Sequence, residues 1–128
     1  MSVFLSIAEE HVLYRDAYFF IVRDGYPVSP GHSLIISNQV RADYFALTNA
    51  EQQHLPQVIG ICQQLIEEQY APQGYSIGMN CGEVAGQTVA HFHCHLIPRY
   101  PGDMADPRGG VRHCVAGKGY YSVADTGR

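Results

Sequence analysis

The chain has 128 residues, 46% of them hydrophobic and 16% charged, and a formal net charge of −4. A chain of this length forms one domain, here residues 1–128, able to bury roughly two-thirds of its unfolded surface, and its composition excludes a disordered or membrane-spanning protein. The negative balance offers no broad attraction to nucleic acid, so neither a nucleic-acid nor a membrane partner is expected.

Met1 to Glu10 lacks the basic start and sustained apolar run of a secretory signal, which points to the cytoplasm. The four cysteines, Cys62, Cys81, Cys94 and Cys114, contain no Cys-x-x-Cys pair, so free thiols are expected rather than disulfides or a zinc ribbon.

In chain order, residues 11–14 and 17–23 are β-rich, with a tight turn at Arg15-Asp16. The run Tyr18 to Val22 is apolar on both faces and predicts a strand covered on both sides. The turn-forming stretch Asp24 to Gly31 leads into a strand over 32–37, and a short helix is expected within 40–47. Thr48-Asn49-Ala50-Glu51 has the form of a capping box. Leu55, Val58, Ile59, Cys62, Leu65 and Ile66 then recur at helical spacing as one apolar stripe, with Pro56 placed to kink or restart the helix. A strand at 75–80 and another at 91–97 complete an α+β pattern in which short early links favour antiparallel pairing. Residues 101–128 are Gly- and Pro-rich and form an arm.

Chemistry concentrates in the last of these strands. His91, His93 and His95 alternate and so share one strand face, while Phe92, Cys94 and Leu96 take the other. Imidazole titrates near neutrality and serves as nucleophile, base, acid or metal ligand. His-x-His on a strand also suits zinc, so nucleotide chemistry and a metal site are both open at this point. The loop from Asn80 to Gln87 is rich in small residues that let backbone amides approach a phosphate. Gln87 and Thr88 can donate to phosphate oxygens, and Asn80 can fix the loop or a bound oxygen. Asp24 is either a turn residue bonding its own backbone or an acceptor for two vicinal ribose hydroxyls. Beyond the histidines, Arg99, Arg108, Arg112 and Lys118 form either a solvated tail or a counter-charge for an anionic ligand.

The segment His91-Phe92-His93-Cys94-His95-Leu96-Ile97 resembles the signature of the histidine-triad (HIT) superfamily, His-φ-His-φ-His-φ-φ with φ hydrophobic. Asn80, the Gln87-Thr88 pair, Asp24 and Pro30-Gly31-His32 stand where that family has matching residues, and Arg108 to Arg112 resembles the C-terminal segment of its bacterial hydrolases of the diadenosine-polyphosphate type. The resemblance implies a five-stranded antiparallel sheet with one long and one short helix, usually paired as a homodimer. It implies nucleotidyl transfer at an α-phosphate, with His93 as nucleophile, His91 and His95 flanking the phosphate, and Asp24 on the ribose. Asn80, Gln87, Thr88 and Arg99 would then serve the nucleotide and its phosphates, with His32 supporting the triad from behind. Three functions follow: hydrolysis of dinucleoside polyphosphates such as diadenosine tetraphosphate, hydrolysis of adenylate phosphoramidates, or purine-nucleotide binding with little turnover. No metal and no cofactor are assigned, magnesium entering only with the substrate.

Overall fold

The computed structural model describes residues 2–122, so the last six residues of the arm lie outside the described part. Five strands, β1 (Tyr14–Arg15), β2 (Phe19–Arg23), β3 (Ser33–Ser37), β4 (Gly74–Gly78) and β5 (His93–Arg99), form one antiparallel sheet in the order β1-β2-β3-β5-β4. One long helix, α1 (Asn49–Glu67), connects β3 to β4. This is the α+β architecture expected, although the short helix is a single 3-10 turn, Tyr44–Ala46. Asp43 sets its start by accepting from the Phe45 and Ala46 amides, and Leu47 ends it just before the cap of α1.

Alternation along β2 divides the interior into two layers. Phe19 and Ile21 pack with Ile35, Cys94 and Leu96 against the α1 stripe Leu55, Val58, Cys62 and Ile66. Phe20 and Val22 pack with Leu34 and Ile36 on the opposite face, where N-terminal Phe4, Ile7 and Val12 cover them. Register places His95 beside Leu34 and His93 beside Ile36, so both histidines stand on the sheet face away from α1. Neighbouring strands point directly paired residues to the same side.

The capping box forms as the sequence indicates: Thr48 Oγ1 accepts from the Glu51 amide at 3.1 Å and Glu51 Oε1 accepts from the Thr48 amide at 2.7 Å. α1 runs unbroken through Pro56, which lies on its exposed side. Pro98 sits in a strand with neighbours on both sides, a place where a missing N–H is normally costly. Here β3 has already ended at the Ser33–Leu96 pair, and the Pro98 carbonyl accepts from the Ser29 hydroxyl at 2.7 Å. Strand bounds shift, β4 for example ending at Gly78 rather than at position 80, and two of the changes matter most. The β-rich segment 11–14 becomes a 3-10 turn at Glu9–His11 followed by only two paired residues, and β5 begins at His93 rather than at position 91, because the Phe92 amide donates to the Arg41 carbonyl instead of to a strand.

Candidate active site

His93 is placed by the residue two before it. Its Nδ1 lies 2.8 Å from the His91 carbonyl oxygen, which can only accept, so Nδ1 carries the proton and Nε2 keeps a free lone pair. His91 itself is wholly buried, with Nε2 2.7 Å from the Ser37 carbonyl and Nδ1 2.7 Å from the Ser2 hydroxyl. It therefore stands behind the site. Burial, together with the neighbouring His93, holds its pKa below the ordinary imidazole value although the Ser37 bond acts the other way.

His95 is set by a second chain of bonds. The Val28 amide donates to His32 Nδ1 at 3.1 Å, which leaves the His32 proton on Nε2. That Nε2 lies 2.9 Å from His95 Nδ1 and 3.3 Å from Asp24 Oδ2. His95 Nδ1 is accordingly an acceptor, and its proton sits on Nε2. Both rings titrate below the usual range, chiefly through burial, with Asp24 opposing the shift in each and the other histidines reinforcing it for His95. Burial thus favours the uncharged form of His32 and His95, and the hydrogen bonds leave Nε2 of His93 as the ring nitrogen without a protein partner among the described residues and place an N–H on Nε2 of His95.

Gly31 explains the Pro-Gly-His turn. Its φ is +88°, and a Cβ there would come within 2.9 Å of the Tyr70 ring. The tight turn delivers His32, 3% exposed, beneath His95.

A cavity of about 560 Å³ opens in front of His93 and His95. Phe4, Ile7, Val22 and Leu34 are among its apolar walls, and Arg23, Asp24, Asn80 and Thr88 among its polar ones. Asp24 bonds its own turn, Oδ1 accepting from the Tyr26 amide at 2.8 Å, while Oδ2 lies 3.3 Å from His32 Nε2 and the residue lines the cavity. Gln87 lies apart. Its Oε1 accepts from the Gly82 amide, and its Nε2 donates to the Ala42 and Val89 carbonyls, so the carboxamide braces the glycine-rich loop. Arg99 shares the face of His93 and His95 but forms a two-bond pair with Asp103, both contacts 2.8 Å, and also reaches Ser76. A second cavity of about 510 Å³ shares His95 and Asn80 with the first and is closed by Gly110, Val111 and Cys114 of the arm. The arm's own arginines are engaged within it: Arg108 pairs with Asp106, and Arg112 donates to the Gly119 and Lys118 carbonyls.

Asp24, His32 and His95 offer three potential metal ligands within 4.8 Å of one another. Their spacing suits tetrahedral zinc, whose ligand atoms stand about 3.4 Å apart, but their protons do not. A ligating histidine donates its other ring N–H to an acceptor, whereas His32 Nδ1 already receives the Val28 amide.

A family model described as the HIT domain matches residues 6–102. The chain belongs to the HIT family. Among curated HIT relatives, the AP-4-A phosphorylase of Mycobacterium tuberculosis is 31% identical over 100 residues, covering 77% of this chain and 51% of that protein. The bis(5'-adenosyl)-triphosphatase of Saccharomyces cerevisiae is 30% identical over 95 residues, covering 73% and 46%. The chain thus spans about half the length of these two. A crystal structure of a HIT family protein from Bacillus anthracis superposes with a TM-score of 0.67 at 33% identity, covering 88% of this chain and 70% of that one.

Sequence reasoning missed Ser2, Phe4 and the Val28 amide. Each acts on a histidine distant in sequence or through the backbone, and neither leaves a motif.

Proposed function

We propose that this HIT protein hydrolyses adenine nucleotidyl substrates at the α-phosphate in two steps. The observation that carries this reading is the pair of contacts that set His93 Nδ1 against a carbonyl and His95 Nδ1 against His32 Nε2, which assigns a lone pair to Nε2 of the first and an N–H to Nε2 of the second beside one cavity. His93 Nε2 attacks the α-phosphorus; an N–P bond forms, the bond to the leaving group breaks, and His95 Nε2–H gives the leaving group its proton. Water then attacks the same phosphorus, the N–P bond breaks with its electrons returning to His93, and the water's proton goes to His95. Splitting one displacement into two is the usual gain of covalent catalysis. Thr88 and loop amides meet the non-bridging oxygens, as donors aimed at developing charge do. Asn80 stands at the same rim, and the second lone pairs of Asp24 are left for ribose hydroxyls.

Dinucleoside polyphosphates are the substrate class supported by the names of the two relatives above. Adenylate phosphoramidates are a second reading, favoured by the engagement of Arg99, Arg108 and Arg112 within the protein, three of the four cations beyond the triad that a long polyphosphate would call on. No resident metal is needed, a view supported by the proton on His32 Nε2, and magnesium accompanies only the substrate. The reading includes a homodimer in the cytoplasm; the four free cysteines are in keeping with a reducing compartment. Among the described residues no helix is long and apolar enough to cross a membrane.

Acid-free quenching during turnover of α-labelled diadenosine tetraphosphate, and of an adenylate phosphoramidate, tests the mechanism. A labelled adduct on His93 is expected with at least one substrate. Steady turnover with no label on protein would leave direct attack by water as the mechanism, and no turnover of either would leave a binding module.

A further inference from the structure

We propose that Ser2 is a positioning residue for His93, acting through His91, with Phe4 of the same N-terminal turn packed against both rings. The first element of the chain, a 3-10 turn at Val3–Ser6, is capped by Ser2, whose Oγ accepts from the Phe4 amide at 3.2 Å. That leaves the Ser2 O–H free to donate, and it lies 2.7 Å from His91 Nδ1. Since His91 Nε2 donates to Ser37, the bonds run in one direction, from the Phe4 amide through Ser2 and His91 to the Ser37 carbonyl.

His91 has no exposed surface. Without the Ser2 hydroxyl its Nδ1 would be a buried acceptor with nothing to accept, which favours reorientation of the ring. That change disturbs the backbone whose carbonyl fixes the His93 proton. Phe4 adds a direct contact: its ring meets His91 edge-on at 5.5 Å and His93 edge-on at 4.9 Å between centroids, so one phenyl group packs against both imidazoles. Phe4 also lines the cavity, whereas Ser2 does not. Ser2 can therefore be altered without touching a ligand.

The catalytic half of the inference rests on His93 being the nucleophile; the positioning half does not. Two variants, Ser2→Ala and Ser2→Thr, are compared with the unaltered chain by kinetics and by imidazole ¹⁵N NMR without substrate. Ser2→Ala should lower kcat about tenfold with KM within about twofold, and the His93 signals should lose the pattern of a single Nδ1–H tautomer. Ser2→Thr, which keeps the hydroxyl, should restore both and keep the denaturation midpoint of the unaltered chain, while Ser2→Ala, though less stable, should remain folded under the assay conditions. Wild-type tautomers in Ser2→Ala would overturn the inference whatever the activity, and a fall in KM affinity with kcat unchanged would make the turn a wall of the cavity only. If the unaltered protein turns over no adenylate, the proposed reaction fails while the NMR comparison still decides the role of Ser2.

Discussion

Replacing His32 separates the relay behind His95 from simple packing. Leucine at this position keeps the volume but removes the Nε2–H that meets His95 Nδ1 at 2.9 Å, together with the acceptor for the Val28 amide. Glutamine keeps a donor at about the depth of Nε2. A buried acceptor left unsatisfied costs about 1 to 3 kcal/mol. The His95 side chain is 25% exposed, so water relieves part of this, and about 1 to 2 kcal/mol should remain. If that energy is what holds His95 Nε2–H toward the leaving group, kcat in His32→Leu falls about 5- to 30-fold. KM should move less than kcat, because the Tyr26 amide still holds Asp24 and Thr88 is untouched. His32→Gln should stay within about threefold of the unaltered rate. Steady-state assays on the better of the two substrate classes, with near-UV circular dichroism to confirm packing, give the comparison. A His32→Leu protein that is folded and turns over at the normal rate would refute the relay, as would equal losses in both variants.

His93→Asn should keep nucleotide affinity within about tenfold, roughly 1.4 kcal/mol, while abolishing turnover; calorimetry with a non-hydrolysable analogue checks the first, and normal turnover would exclude covalent attack by His93. Asp24→Ala should weaken ribonucleotides more than their 2′-deoxy counterparts, by about 1.5 to 3 kcal/mol for a bond to a charged acceptor, and equal weakening in a binding assay would leave Asp24 as a turn residue. Burial would raise the Asp16 carboxyl, but bonds from the Phe19 and Tyr18 amides, His54 and Tyr14 outweigh it and hold it down to about 2. Its folded pKa is below the ordinary 3.8, so its contribution, at most about 2 kcal/mol, is complete above that value and is lost as pH falls through about 2. Urea denaturation of the wild type and Asp16→Asn should show a gap that narrows between about pH 5 and about pH 2; a constant gap would contradict the assignment. Removing Arg108 and Arg112 together should loosen the arm to limited proteolysis and slow both substrate classes by a similar factor, whereas a selective loss of polyphosphate turnover would return these arginines to a ligand role.

Where burial is two-sided or strictly alternating, the pattern of residues located the elements. β2, β3 and β5 lie within two residues of their expected bounds, and Thr48 with Glu51 announced the start of α1. β1 was misplaced because β-rich composition does not reveal a partner, and only Tyr14 and Arg15 find one. The direction of the triad was legible for His93 and His95 but not for His91, whose ring is drawn into the interior by Ser37 and Ser2. Gln87 and Arg99 show the same limit. Residue type states what a side chain can bond, and only tertiary neighbours, here Gly82, Ala42 and Asp103, state what it does bond.

The bonds that define the site join distant parts of the chain: Ser2 to His91 across 89 positions and His32 to His95 across 63. Closing such long loops is slow compared with forming a helix or a hairpin. During refolding the helical signal of α1 should consequently return before nucleotide binding, and binding before turnover, since the proposed role of His93 requires the N-terminal turn to dock against β5. A nascent chain still lacking β5 would be folded in part and wholly without this chemistry.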